Sequence, residues 1–143
     1  MTDRTNDAGD LPPITAHLIA EGARLDALPR HFGLRSMLRV EFAIYDALRE
    51  LARDYSGAYW HYYELSNGGF YMAPAAERPF EVSVEGNGFS GSLSADAAGV
   101  VASLFGINRV ANAGCERSIR HYYLLRDYAL FHAEQQSIFR AID

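Results

Sequence analysis

Tyr59-Trp60-His61-Tyr62-Tyr63-Glu64-Leu65-Ser66-Asn67-Gly68-Gly69-Phe70-Tyr71-Met72-Ala73-Pro74 is two aromatic-rich runs folded about an Asn-Gly pair. Aromatic density over Tyr59–Leu65 favours a strand, because rings pack well on a pleated, half-buried surface. Asn67-Gly68 supplies the positive φ angles of a tight hairpin turn. Phe70–Ala73 is the returning strand, stopped by Pro74. Further on, Phe80, Val82 and Val84 alternate with Glu81, Ser83 and Glu85, the period of a strand with one buried face. Gly86-Asn87-Gly88 marks a second turn, and Phe89–Leu93 pairs back. Strands joined by such turns form an antiparallel meander.

Upstream and downstream the period lengthens to that of helices. Met37, Leu38, Phe42, Tyr45, Leu48, Leu51, Ala52 and Tyr55 recur at three- and four-residue steps, which predicts an amphipathic helix over 34–54 closed by Ser56-Gly57. Before it, Pro12-Pro13 opens a short helix carrying Ile14, Leu18, Ala20 and Leu25, weakened by Gly22 and ended by Pro29. After the strands, Ser94 reads as an N-cap with Asp96 in the first turn, where the helix dipole favours a carboxylate. Ala97–Val110 and Glu116–His132 are the next helices, separated by Asn112–Gly114, and Ile138, Phe139 and Ile142 form a last apolar patch. The expected fold is α+β: one domain over 12–143, a small antiparallel β-meander packed against several α-helices, preceded by a flexible tail over 1–11.

Composition narrows the function classes. The 143 residues suit one domain; 49% are hydrophobic and 22% charged, as in a globular protein rather than a disordered one. No apolar run spans a bilayer. Met1–Asp10 is polar without a basic and then apolar region, so no secretory signal and a cytoplasmic location are expected. Cys115 is the single cysteine, which excludes an intrachain disulfide and a cysteine metal cluster; it reads as a small residue half-buried at a helix boundary rather than a reactive thiol. The 13 basic residues are all Arg against 18 acidic ones, net −5, unlike the strongly basic balance of a nucleic-acid binder.

Few residues of the chain offer chemistry. His61 is the natural catalytic suspect, but strand alternation puts the nearest carboxylate, Glu64, on the opposite face. His31, His121 and His132 are scattered and show no metal-ligand spacing. The glycine-containing turns match no phosphate loop, which would need a Lys, and Gly99 and Gly106 lie inside a helix. Tyr59, Trp60, Tyr62, Tyr63, Phe70 and Tyr71 could stack single-stranded bases, yet no Arg or Lys lies between Asp54 and Arg78 to hold phosphates. Packing against the helices is the favoured role for these rings. A single-strand-binding module and a small His61-dependent enzyme stand as the alternative readings.

Several segments in order carry a resemblance. They are Leu28-Pro29-Arg30-His31-Phe32-Gly33; the run Gly57–Pro74 containing the aromatic hairpin; Val84-Glu85-Gly86-Asn87-Gly88-Phe89 with Leu93–Val101; and Leu125-Arg126-Asp127-Tyr128-Ala129 with Ile138-Phe139 and Ala141-Ile142-Asp143. In this combination, over most of the chain after residue 28, the sequence resembles the ArdB/KlcA antirestriction family. The resemblance implies a non-enzymatic, cofactor-free α+β protein that protects incoming plasmid or phage DNA from type I restriction-modification enzymes. It carries over no established catalytic or binding residue.

Charge decides between mechanisms for such a protein. A domain of this size is roughly 40 Å long. A duplex mimic of that length needs on the order of 20 uncompensated negative charges. Here 18 acids are opposed by 13 Arg, and some pair at helix spacing, as Asp46 with Arg49 and Glu50 with Arg53. Imitation of DNA by the whole protein is therefore disfavoured. A protein–protein contact is expected instead, with the restriction enzyme or an associated host factor, made by a monomer without membrane or direct DNA binding. The polar candidates for it are Glu64, Asn67 and Glu85, expected near one end of the sheet, and Asp143, with two carboxylates beside Ile142.

Overall fold

A computed structural model describes residues 12–143; the tail expected over 1–11 lies outside the described residues. Five strands and five α-helices follow one another as β1 (Ala16–Leu18), α1 (Arg24–Phe32), α2 (Met37–Leu51), β2 (Trp60–Leu65), β3 (Phe70–Pro74), β4 (Phe80–Val84), β5 (Phe89–Leu93), α3 (Ala95–Asn112), α4 (Glu116–Ala129) and α5 (Gln135–Ile142), with a 3-10 turn, Glu21–Ala23, leading into α1. The class is α+β. The strands divide into two antiparallel sheets, β1-β2-β3 and β4-β5, rather than running as one meander. Each predicted hairpin forms, with Phe80 opposite Leu93 in one and Trp60 in the other opposite Pro74, which belongs to β3 although it was expected to stop that strand.

Only the second part of the segment read as a first helix is helical: its first part is strand β1, and α1 starts at Arg24 and runs through Pro29, which was expected to end it, to Phe32. Thr15 and Ser66 exchange hydrogen bonds, the Thr15 N–H to Ser66 Oγ at 2.9 Å and the Ser66 N–H to the Thr15 carbonyl at 2.8 Å. The Ile19 N–H reaches the Tyr62 carbonyl at 2.8 Å. Without β1, that edge of β2 would leave a row of backbone groups unpaired, and satisfying it outweighs a weak local helical preference. The other edge, on β3, is closed by a side chain: Ser103 Oγ accepts from the Met72 N–H and donates to the Met72 carbonyl, both at 3.1 Å.

Ser103 reaches that edge because α3 lies hard against the sheet. A Cβ on Gly99 would stand 2.3 Å from Ala73 Cβ, and one on Gly106 would stand 2.7 Å from the Ile44 backbone of α2. One stripe of small residues thus lets α3 touch β3 near its start and α2 near its end. It is the central helix, with Ala98, Val101, Ala102, Leu104 and Ile107 all buried, and Ser94 caps it as predicted, its Oγ accepting from the Ala97 N–H at 3.1 Å.

Both hairpins use the same turn device. Only the glycines take positive φ, 93° at Gly68 and 75° at Gly88; Asn67, expected there too, stays at negative φ. Asn67 Oδ1 accepts from the Gly69 N–H at 3.0 Å while its Nδ2 donates to the Leu124 carbonyl of α4 at 2.9 Å. Asn87 Oδ1 accepts from the Phe89 N–H at 2.9 Å while its Nδ2 donates to the Ala141 carbonyl of α5 at 2.8 Å. Each Asn closes its turn and ties it to a helix.

Helix α2 buries Val40, Ile44, Ala47, Leu48 and Leu51. Leu38 and Phe42, part of the apolar periodicity in the sequence, face outward.

Candidate functional site

The end of α1 brings three titratable groups together that the sequence keeps far apart. Pro29 sits inside α1, and Arg30 and His31 follow it in the last turn. Arg30 Nη2 donates to Glu64 Oε2 at 2.6 Å and His31 Nε2 donates to the same oxygen at 2.7 Å. The Arg30 hydrogen bond, aided by His31, holds the Glu64 carboxyl below the usual carboxylate range. His31 is buried, and desolvation lowers its pKa against the pull of Glu64. His121 of α4 meets His31 edge-on with ring centroids 5.0 Å apart and lies 4.6 Å from Phe32. It is 3% exposed, its Nδ1 has no hydrogen-bond partner, and burial, with nearby His31 and Arg120, pushes its pKa down to about 4.

A second polar group joins α3 to the loop before α5. Asp96 accepts from Tyr71 Oη at 2.8 Å and from His132 Nε2 at 2.7 Å. The Glu134 N–H donates to His132 Nδ1 at 2.9 Å, so His132 is the neutral tautomer protonated at Nε2. Both its nitrogens are engaged, leaving none free to act as a base. Burial holds the Tyr71 phenol far above its ordinary value, with the Asp96 charge acting in the same direction. Glu134 in turn receives the Ser94 N–H at 3.0 Å and the Ser94 hydroxyl.

His61 is half-buried between the edges of Tyr59 and Tyr63, with centroid distances of 5.7 and 6.3 Å. It lines an open cavity of about 340 Å³ with Glu77 and Asp96. Most of the aromatic rings are covered by their own packing, with Tyr59 left exposed. Tyr63 stacks on Tyr71 at 4.7 Å and Tyr71 on Tyr128 at 5.6 Å. Arg24 of α1 lies over Tyr62 at 4.1 Å and Tyr59 at 4.8 Å, a cation from outside the strand segment that covers the rings. Cys115 sits half-buried at the N-cap of α4, as expected. Burial opposes its ionisation, but the Ser118 and Ser36 hydroxyls and backbone N–H groups outweigh it and lower the thiol pKa.

The four polar candidates fall into two places. Glu64 and Asn67 lie at the β2–β3 hairpin, where Glu64 is ion-paired and Asn67 holds the turn. Glu85 is at the turn of the other sheet, lining a shallow depression with Leu51, Phe105 and Arg109. Asp143 follows α5, to which that turn is tied, and receives Arg126 at 3.4 Å. Elsewhere Asp46 pairs with Arg49 as predicted, at 2.5 Å. Glu50 pairs at 2.8 Å with Arg109 rather than with Arg53, because α3 packs against α2 and brings a cation in from the neighbouring helix. Asp54 pairs with Arg78 at 3.1 Å. Glu64, Asp46, Asp54, Glu50 and Asp143 are thus each paired with an Arg. Among the described residues no helix is long and apolar enough to cross a membrane.

Comparison with known proteins agrees with this architecture. The antirestriction protein family matches residues 53–143. An antirestriction protein KlcA of Escherichia coli is 52% identical over 136 residues, covering 92% of this chain and 96% of the relative. A second KlcA of Escherichia coli is 45% identical over 138 residues, covering 92% and 94%. Among solved structures, one superimposes with a TM-score of 0.87 at 49% identity, covering 94% of this chain and 98% of the other. It comes from work on the KlcA and ArdB proteins, which reports a novel fold and antirestriction activity against type I DNA restriction systems in vivo but not in vitro.

Proposed function

This chain belongs to the antirestriction protein family, and from that membership we propose that it protects incoming plasmid or phage DNA by inhibiting a host type I restriction system. The observation that carries the proposal is the match to the KlcA and ArdB structure along 94% of the chain. The route is a protein–protein contact and not imitation of DNA. Supporting this, Glu64, Asp46, Glu50, Asp54 and Asp143 each lie against an Arg, which cancels the charge a mimic must present. Activity of those relatives in vivo but not in vitro favours a contact made through a host factor absent from the purified restriction reaction. The protein acts in the bacterial cytoplasm as a monomer, without catalysis or cofactor. Glu64, Asn67, Glu85 and Asp143 are its polar contact candidates; Glu64 and Asp143 are each ion-paired with an Arg, Asn67 holds its turn, and Glu85 forms no ion pair among the described residues.

The test is the plating of unmodified phage on restricting cells with and without the protein. Protection raises the plating efficiency; equal plating overturns the proposal. A His61→Ala variant is expected to retain full protection, and loss of protection by a folded H61A protein would revive the enzymatic reading.

A further inference from the structure

Four exposed apolar side chains lie on α1, on α2 and in the turn between them. Leu25 is 90% exposed, Leu34 77%, Phe42 57% and Leu38 52%. Single exposed leucines are ordinary on a protein surface, whereas a contiguous group flanking a concavity marks an interaction site. The concavity is a groove of about 300 Å³ between α1 and α2, walled by Leu25 and Leu38 over a floor of Leu28, Pro29, Met37 and Tyr62. Its polar groups are occupied with one another. Glu41 Oε2 accepts from Tyr62 Oη at 2.7 Å and Tyr45 Oη at 3.0 Å, and Arg24 lies flat on the Tyr62 ring. What the groove offers a visitor is therefore apolar contact.

A basic row runs beside the apolar one. Leu38 and Phe42 are one helical turn apart on α2, and Arg39 lies next to them, with Arg35 in the turn that leads into the helix. Both arginines are exposed, and among the described residues neither forms an ion pair, as is also true of Arg24, Arg53, Arg117, Arg120 and Arg140, so both are free to meet a carboxylate from outside. On the α1 side Leu25 is flanked by the exposed Asp26 and by Arg24, which itself lines the groove. A segment bearing apolar side chains in one row and carboxylates in the adjacent row matches this face, its acids over Arg35 and Arg39. The concave shape suits a side-chain-bearing helix better than a flat lipid surface.

We propose that the α1–α2 groove is the docking site for an acidic amphipathic helix of the partner protein. This rests on the reading that the protein inhibits restriction through a protein contact. The experiment uses the full chain and two surface variants, Leu38→Ser with Phe42→Ser, and Arg35→Glu with Arg39→Glu, whose folding is checked by circular dichroism. The binding probe is a labelled helical peptide of about 18 residues with Leu at i, i+3, i+4 and i+7 and Glu on the flanking row, followed by fluorescence anisotropy. A Lys version of the same peptide is the control. The wild-type protein is expected to bind the Glu peptide and not the Lys one. Both variants should bind it at least ~10-fold more weakly and lose phage protection while remaining folded. Equal binding of the two peptides, or full protection by the folded variants, overturns the proposal. So does binding to phosphatidylglycerol vesicles in place of the peptide, or self-association of the wild type that both variants abolish. If the wild-type protein itself gives no protection, it is the antirestriction reading that fails, which separates the two results.

Discussion

Replacing His121 with Phe tests the account of the buried histidine pair. His121 is surrounded by Phe32, Phe70's partner His31, and α4 itself, and its Nδ1 is orphaned. Its folded pKa of about 4 lies below the ordinary 6.5, so the folded protein binds fewer protons than the unfolded chain between those values. The stability associated with neutral His121 is fully present above pH 6.5 and is lost progressively as the pH falls toward 4. The gap corresponds to roughly 3 kcal/mol at the acid end, of which about 2 to 3 kcal/mol is already gone at pH 4.5. His31, also depressed by burial, acts in the same direction. Phe at position 121 cannot take up a proton, and it removes an unpaired buried nitrogen whose burial costs on the order of 1 to 3 kcal/mol. A slightly larger ring returns part of that gain as crowding. The assay is urea unfolding followed by circular dichroism from pH 7.5 to 4.5, with the difference between wild type and His121→Phe plotted against pH. The variant should match or exceed the wild type at pH 7.5 and pull ahead by about 2 to 3 kcal/mol by pH 4.5. A difference that stays constant across the range, or a variant less stable by more than about 2 kcal/mol at pH 7.5, refutes the reasoning.

Three further outcomes follow from the packing. Gly99→Ala, a change that ordinarily strengthens a helix interior by about 1 kcal/mol, should instead destabilise by about 2 kcal/mol or more, since the new methyl meets Ala73 Cβ at 2.3 Å; a raised melting temperature would count against the close approach of α3 to β3. Ser103→Ala should cost about 1 to 3 kcal/mol and speed hydrogen exchange at the Met72 amide, which loses its acceptor. Deleting Asp143 removes an exposed ion pair with Arg126 and should leave stability within about 0.5 kcal/mol, so phage plating reads its contact role directly; if protection also survives, that role is void.

Elements built on local signals were legible in the residues. The change of period at Tyr59 marked where helix gives way to strand, the Asn-Gly pairs located both hairpins, and Ser94 announced α3, because capping, turn geometry and side-chain alternation act over a few residues. The ordered motifs from Leu28 to Asp143 were also enough to point to the antirestriction family. Contacts between distant segments were not legible. β1 is a strand only because the edge of β2, 45 residues or more along the chain, is there to receive it. Glu50 could be assigned to Arg53 by helix spacing until α3 brought Arg109 closer. His31, Glu64 and His121 carry no shared signal, and their assembly depends on α1, β2 and α4 meeting. The exposed face at Leu38 and Phe42 was hidden for the same reason: periodicity shows that a helix has an apolar stripe, but only the packing of α2 on α3 decides which part is covered. That uncovered remainder, beside Arg35 and Arg39, is where we place the partner.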